Sequence, residues 1–110
     1  MSIKVVYNNC YGGFSISRAC ASRMAFLGSL EAQKLLDETE YFHGHLWETP
    51  RHDPVLVQAV EELGNSASGN LSELEVHHLS GNRYIIEEYD GIETVIEPDD
   101  VKWIEVSSES

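Results

Sequence analysis

The hydrophobic period of this chain changes once, near Asn70, and that change limits the folds open to it. Before it, apolar residues recur at helical spacing; after it, they alternate along the chain. The clearest element precedes the change. Asp53 is placed to cap a helix, Pro54 fits the first helical position, and Gly64 lies just past the end. Between them Leu56, Ala59, Val60 and Leu63 fall on one stripe, the face such a helix buries. Asn65–Asn70 is a loop by composition, and beyond it Glu73–Leu79, Arg83–Tyr89, Ile92–Glu97 and Val101–Val106 read as strands. They are joined by Ser80-Gly81-Asn82, by Asp90-Gly91 and by Pro98-Asp99-Asp100. Asp-Gly is a strong hairpin signal, because a type I′ turn needs positive φ at both of its central residues.

The N-terminal half has one strand and more helix. Ile3–Tyr7 (IKVVY) is β-branched and aromatic and ends at Asn8-Asn9. Ser15 and Ser17 are both placed to cap a helix running to about Leu27, with Ile16, Cys20, Met24 and Leu27 as its apolar stripe. Gly28 stops it, and Ser29 can cap a second helix over Leu30 to Glu38, whose apolar residues are Leu30, Ala32, Leu35 and Leu36. Tyr41 to His52 (YFHGHLWETPRH) shows no clear period, carries Gly44 and Pro50, and reads as a loop. The expected architecture is a single α+β domain over residues 1–110. It has an N-terminal strand, two or three helices, then a C-terminal antiparallel β-meander, with the helices packed on one sheet face.

Charge narrows the function classes. The net charge is −12, and it is lopsided: residues 1–60 hold five basic and six acidic residues, residues 61–110 two basic and thirteen acidic. A nucleic-acid surface needs clustered Lys and Arg to displace counterions, so direct binding of DNA or RNA by the second part is not expected. An acidic face can repel nucleic acid, imitate it, or keep the protein in solution. No run of about 18 apolar residues exists to span a bilayer. The opening MSIKVVYNNC lacks the layout of a secretion signal. Two cysteines then read as thiols of a reducing compartment, and a cytoplasmic location is expected.

Two places invite an anion. Tyr11-Gly12-Gly13-Phe14-Ser15 joins a strand to a helix N-terminus, where free N–H groups and the positive end of the helix dipole meet. Arg18 lies in the first turn of that helix and Arg23 further along it. The plainer alternative is a tight turn with Phe14 in the core. Arg51 precedes the Asp53-capped helix and can clamp an anion, or it can pair with Asp53 or a nearby Glu on the surface. Other chemistries are less well supplied. His43, His45, His52, His77 and His78 lack zinc-site spacing, and His77 and His78 point to opposite faces of a strand, so no metal is expected. Cys10 has no fixed base beside it, and Cys20 lies on an apolar stripe. Tyr11, Phe14, Tyr84, Tyr89 and Trp103 could stack on a base or simply pack in a core.

Three segments together carry a resemblance: Tyr7-Asn8-Asn9-Cys10-Tyr11-Gly12-Gly13-Phe14, Arg51-His52-Asp53-Pro54 leading Val55 to Gly64, and Glu88-Tyr89-Asp90-Gly91-Ile92-Glu93. Spread over nearly the whole chain, they resemble the phage Thoeris anti-defence sponges, small proteins that sequester cyclic ADP-ribose isomers. The resemblance implies a non-catalytic homo-oligomer in the host cytoplasm, without cofactor, that holds an infected cell's nucleotide signal and keeps it from its effector. Some members also hold cyclic oligonucleotides. It further implies Arg51 and Arg23 as phosphate contacts, Tyr84 as a stacking ring and Asp90 as a partner for ribose hydroxyls. With Tyr11, Gly12, Gly13, Phe14 and Arg18 from the glycine loop, these form the candidate ligand site. On this expectation Arg51→Ala abolishes sequestration and leaves the fold intact. Two alternatives follow from other features. One is an acidic inhibitor that contacts a nucleic-acid-targeting defence complex through Glu87, Glu88, Glu93 and Glu97. The other is a small hydrolase that consumes the same signal.

Overall fold

Local side-chain chemistry starts each helix, as the computed structural model of residues 3–37 and 42–107 shows. Ser17, rather than Ser15, caps helix α1 (Arg18–Phe26): its Oγ accepts from the Cys20 N–H at 3.1 Å. Ser29 caps α2 (Leu30–Asp37) in the same way, accepting from Ala32 at 3.1 Å. Asp53 Oδ1 accepts from Val55 and Leu56 at 2.8 and 3.2 Å ahead of α3 (Pro54–Leu63). Glu38, the expected end of the second helix, and Tyr41 lie outside the described residues. Leu30, one of the apolar residues named for this helix, is exposed, because it sits about 200° around the helix from the buried Ala32.

A short 3₁₀ turn (Gly64–Ala67) occupies part of the expected 65–70 loop. Strands β1 (Lys4–Asn8), β2 (Leu74–His78), β3 (Ile85–Tyr89) and β4 (Ile92–Ile96) complete the α+β layout that the periodicity predicts. Their pairing differs from one continuous meander. β2 runs antiparallel to β1, with Lys4 opposite His78 and Asn8 opposite Leu74, while β3 and β4 form their own hairpin, Tyr89 opposite Ile92. The hairpin turn is the expected Asp90-Gly91, both at positive φ, 54° and 94°. Val101–Val106 is a second correction. The segment is not a strand and lies exposed, because a strand exists only by pairing and this segment pairs with none of the four strands.

The layers explain why Val5 and Val6 are both apolar instead of alternating with polar residues along β1. Val6 faces the helices and joins Ile16, Cys20, Met24, Leu56 and Val60 in the main core. Val5 faces the opposite way and meets Leu79 and Val95, with Ile3, Tyr7, Tyr84 and Ile86 around them. A strand covered on both faces needs apolar side chains at successive positions. No helix among the described residues is long and apolar enough to cross a membrane.

Candidate ligand-binding site

The three segments that carry the resemblance meet in space. Asn8, at the end of β1, is fully buried; its backbone N–H donates to Glu93 Oε1 at 2.9 Å. Its side-chain NH₂ donates to the carbonyls of Cys10 and Gly91, both at 2.8 Å, and its Oδ1 accepts from the Glu73 N–H at 2.8 Å. Gly91 lies so close to the Tyr11 carbonyl and the Gly13 N–H that a Cβ there would overlap them. The hairpin turn and the glycine loop therefore interlock.

Arg51 closes this knot from the inside. Its guanidinium donates to both oxygens of the buried Glu93 carboxylate, at 2.5 and 2.8 Å, and lies 3.6 Å over the Phe14 ring. The pairing is planar and bidentate, and the Phe14 ring covers one face of the guanidinium. Arg51, read from sequence as a phosphate contact or a surface pair, is thus an internal fastener between β4, the glycine loop and the entry to α3. Phe14 packs half-buried against the main core, the plainer of its two expected roles. Arg23 is also engaged: it holds Glu62 with two hydrogen bonds, at 2.7 and 3.1 Å, and ties α1 to α3 on the surface. That contact raises the Arg23 pKa and lowers that of Glu62.

Arg18 stands differently. Among the described residues no carboxylate pairs with it, and its guanidinium lies 5.1 Å from the centre of the Phe42 ring. Both line a cleft of about 410 Å³ with Gly12, Ser15, Gly44, His45, Gly69 and Leu71. The cleft opens at the N-terminus of α1, so the helix dipole and Arg18 bias it toward an anion. A volume of this size fits the range of small-molecule sites.

The remaining candidates are dispersed. The Tyr84 hydroxyl hydrogen-bonds His52 Nδ1 at 2.7 Å, their rings meet edge to face at 5.7 Å, and burial pushes the Tyr84 pKa up. Asp90 caps the exposed hairpin tip and Tyr11 is exposed beside it. Of the sequence-derived set, only Gly12 and Arg18 share the cleft. Phe42, Gly44 and His45 lie in segment 41–52, whose lack of a clear period hides them from sequence reasoning. The signal was available: Phe42, Gly44 and Leu46 turn toward the body, and His43, His45 and Trp47 alternate with them.

Other chemistries gain little. Among the described residues no cluster of three His, Cys, Asp or Glu could hold a metal ion. Burial pushes the Cys20 thiol up to about 12, far from a reactive thiolate. The Cys10 thiol donates to the Leu71 carbonyl at 3.2 Å. Of the acids expected to imitate nucleic acid, Glu93 is consumed by Arg51, and Glu97 accepts from Ser80 and meets His77 at 2.8 Å; Glu87 and Glu88 remain exposed. No protein-family model, curated protein or solved structure matches the chain.

Proposed function

We propose that this chain is a bacteriophage anti-defence protein that binds a nucleotide immune signal in the host cytoplasm and withholds it without degrading it. The ligand is a cyclic ADP-ribose isomer or a cyclic oligonucleotide. The observation that carries the reading is the Arg18 cleft: a cation without a carboxylate partner among the described residues, beside an aromatic ring, at a helix N-terminus. The resemblance of three segments to the sponge family supports it independently. In this reading Arg18, rather than Arg51 or Arg23, makes the main phosphate contact. No carboxylate among the described residues lines that cleft, and of the acidic residues in 61–110 Glu61, Glu62, Glu93 and Glu97 are engaged with Lys4, Arg23, Arg51 and His77. A homo-oligomer belongs to the same reading, supported by the exposed Ile85, Tyr89, Trp103, Ile104 and Val106.

The test mixes excess protein with cyclic ADP-ribose isomers and cyclic di- and trinucleotides, filters off free ligand, then heats the protein and chromatographs what it releases. One ligand is expected to vanish from the filtrate and return intact on heating. Arg18→Ala should weaken its retention about tenfold or more, the usual loss for a charged hydrogen bond. Product in place of intact ligand would instead make the protein a hydrolase. No depletion across the panel would overturn sequestration and favour an inhibitor acting through Glu87 and Glu88.

A further inference from the structure

The β3–β4 hairpin has an open edge. Tyr89 and Ile92 close its two-residue turn, so by alternation the backbone N–H and C=O groups of Ile86 and Glu88 point away from β4. No strand among the described residues takes them. Ile86 and Val95 face Val5, and the opposite face of the hairpin is uncovered, with Ile85 61% and Tyr89 75% exposed. A free edge of this kind is a template for one more strand. The chain also carries a strand-type segment without an edge. It leaves the 3₁₀ turn Pro98–Asp100 extended, with Val101 at φ −83° and ψ 121°. Along it Trp103, Ile104 and Val106 are 80%, 91% and 87% exposed.

We propose that residues 101–106 of one copy add antiparallel to the β3 edge of a second copy, which returns its own segment to the first in a reciprocal, two-fold exchange. The inference rests on the homo-oligomer of the proposed function; the exchange adds the surface and the symmetry that form it. One register suits both sequences. With Ile104 opposite Ile86, Lys102 falls opposite Glu88 and Val101 opposite Tyr89, so apolar meets apolar and opposite charges face each other. Trp103 then lies on the uncovered face, between Ile85 and Tyr89. Parallel addition breaks the match: with Ile104 kept beside Ile86, it puts Val106 beside Glu88.

The occupant is a second copy because the chain's own segment starts at the wrong end of the hairpin. The Glu97 N–H donates to Asp100 Oδ2 at 2.8 Å and fixes the turn. Beyond it Val101 and Trp103 line a hollow of about 600 Å³ with Ile85 and Ile96. The antiparallel place for Val101 is at Tyr89, about 13 Å further along β3. Running on from the Ile85 end, the segment could pair with its own β3 only in parallel. Area agrees with a dimer. The exposed surface of Ile85, Tyr89, Val101, Trp103, Ile104 and Val106 is on the order of 800 Å², the share each partner gives to a stable interface.

Sedimentation equilibrium of the full chain at micromolar concentration is expected to show a dimer. Ile104→Pro removes the N–H that would bond the Ile86 carbonyl, and it should be monomeric at the same concentration. Its thermal midpoint should match the parent monomer's, since the segment is exposed in the single chain. Lys102→Glu and Glu88→Lys should each weaken dimerisation about tenfold, because the two-fold exchange reverses two cross-strand pairs at once. Mixed one to one, the two variants should regain the parental affinity, since each segment then meets the opposite charge on the other chain. Pairing within one chain would gain nothing from mixing. A monomeric full chain, an Ile104→Pro variant that dimerises as tightly as the parent, or no gain on mixing would each overturn the exchange. The two readings fail separately. Ile104→Pro dimers that still withhold a cyclic nucleotide sink the exchange and leave sequestration. Restored dimers with no ligand retained from the panel do the reverse.

Discussion

Arg51 and Glu93 lie 42 positions apart and behave as one group. Removing the Arg leaves a buried carboxylate whose remaining donor among the described residues is the Asn8 N–H, and such half-broken pairs cost about 3 kcal/mol. Arg51→Ala should therefore lower the urea midpoint clearly, and its loss of ligand retention would report unfolding rather than a missing phosphate contact. A midpoint unchanged from the parent chain would show the pair to be dispensable. Glu97 carries the acid response. Its hydrogen bond to His77, then those from the Ser80 N–H and hydroxyl, hold its carboxyl down at about 2 against an ordinary value of 4.5. A depressed carboxyl stabilises the fold fully above its unfolded value, and that contribution is lost as pH falls from about 4.5 to about 2. Glu97→Gln should flatten the fall in urea midpoint between pH 5 and pH 3, and an equally steep fall would reject the assignment. At this scale the sequence was half legible. It showed that Arg51 stands before a helix start, but a partner on a distant strand depends on how the β3–β4 hairpin folds over the β1–β2 pair.

Elements whose signals are local were readable, and those defined by a neighbour were not. Helix α3 has its cap, its proline and its terminal glycine within one short segment, and it forms where they stand. Val101–Val106 has strand-like composition but no partner edge, so composition misled. Segment 42–49 is the opposite case, a loop with more order than its sequence suggests because Glu31 reaches it from another element. Burial opposes the Glu31 charge, but the Thr49 hydroxyl and three backbone N–H groups outweigh it and keep its carboxyl below the usual range. The anchor is present above the ordinary carboxylate pKa and is lost as pH falls through the depressed value. Glu31→Gln should reduce amide-exchange protection at Trp47, Glu48 and Thr49 near neutral pH and remove the acid-dependent part of that loss. Unchanged protection would mean that the segment is held by the bond from the Ile16 N–H to the Gly44 carbonyl and by its packing on the core, without Glu31.

The molecule as a whole is stretched. Its radius of gyration is 16.5 Å and its extents are 66 × 32 × 22 Å, whereas a compact chain of this length has a radius of about 13 Å. The excess comes with an exposed C-terminal segment and a hairpin whose outer face carries Ile85 and Tyr89. On the proposed homo-oligomer, removing residues 101–110 is expected to reduce the sedimentation coefficient by more than the lost mass, as dissociation would. A full chain that sediments as a monomer at micromolar concentration would remove the oligomer from the proposed function.

The central position of β1 also dictates an order of assembly. Its partner residues begin at Leu74, and its second cover comes from the hairpin that ends at Ile96. A growing chain thus covers Val6 once α3 is made, but carries Val5 uncovered and the strand edge unpaired until the later strands follow. Such long-range closure is slow and leaves a sticky edge waiting, so the nascent chain depends on its early helices to shelter it. The earliest of the four strands is the last to be enclosed.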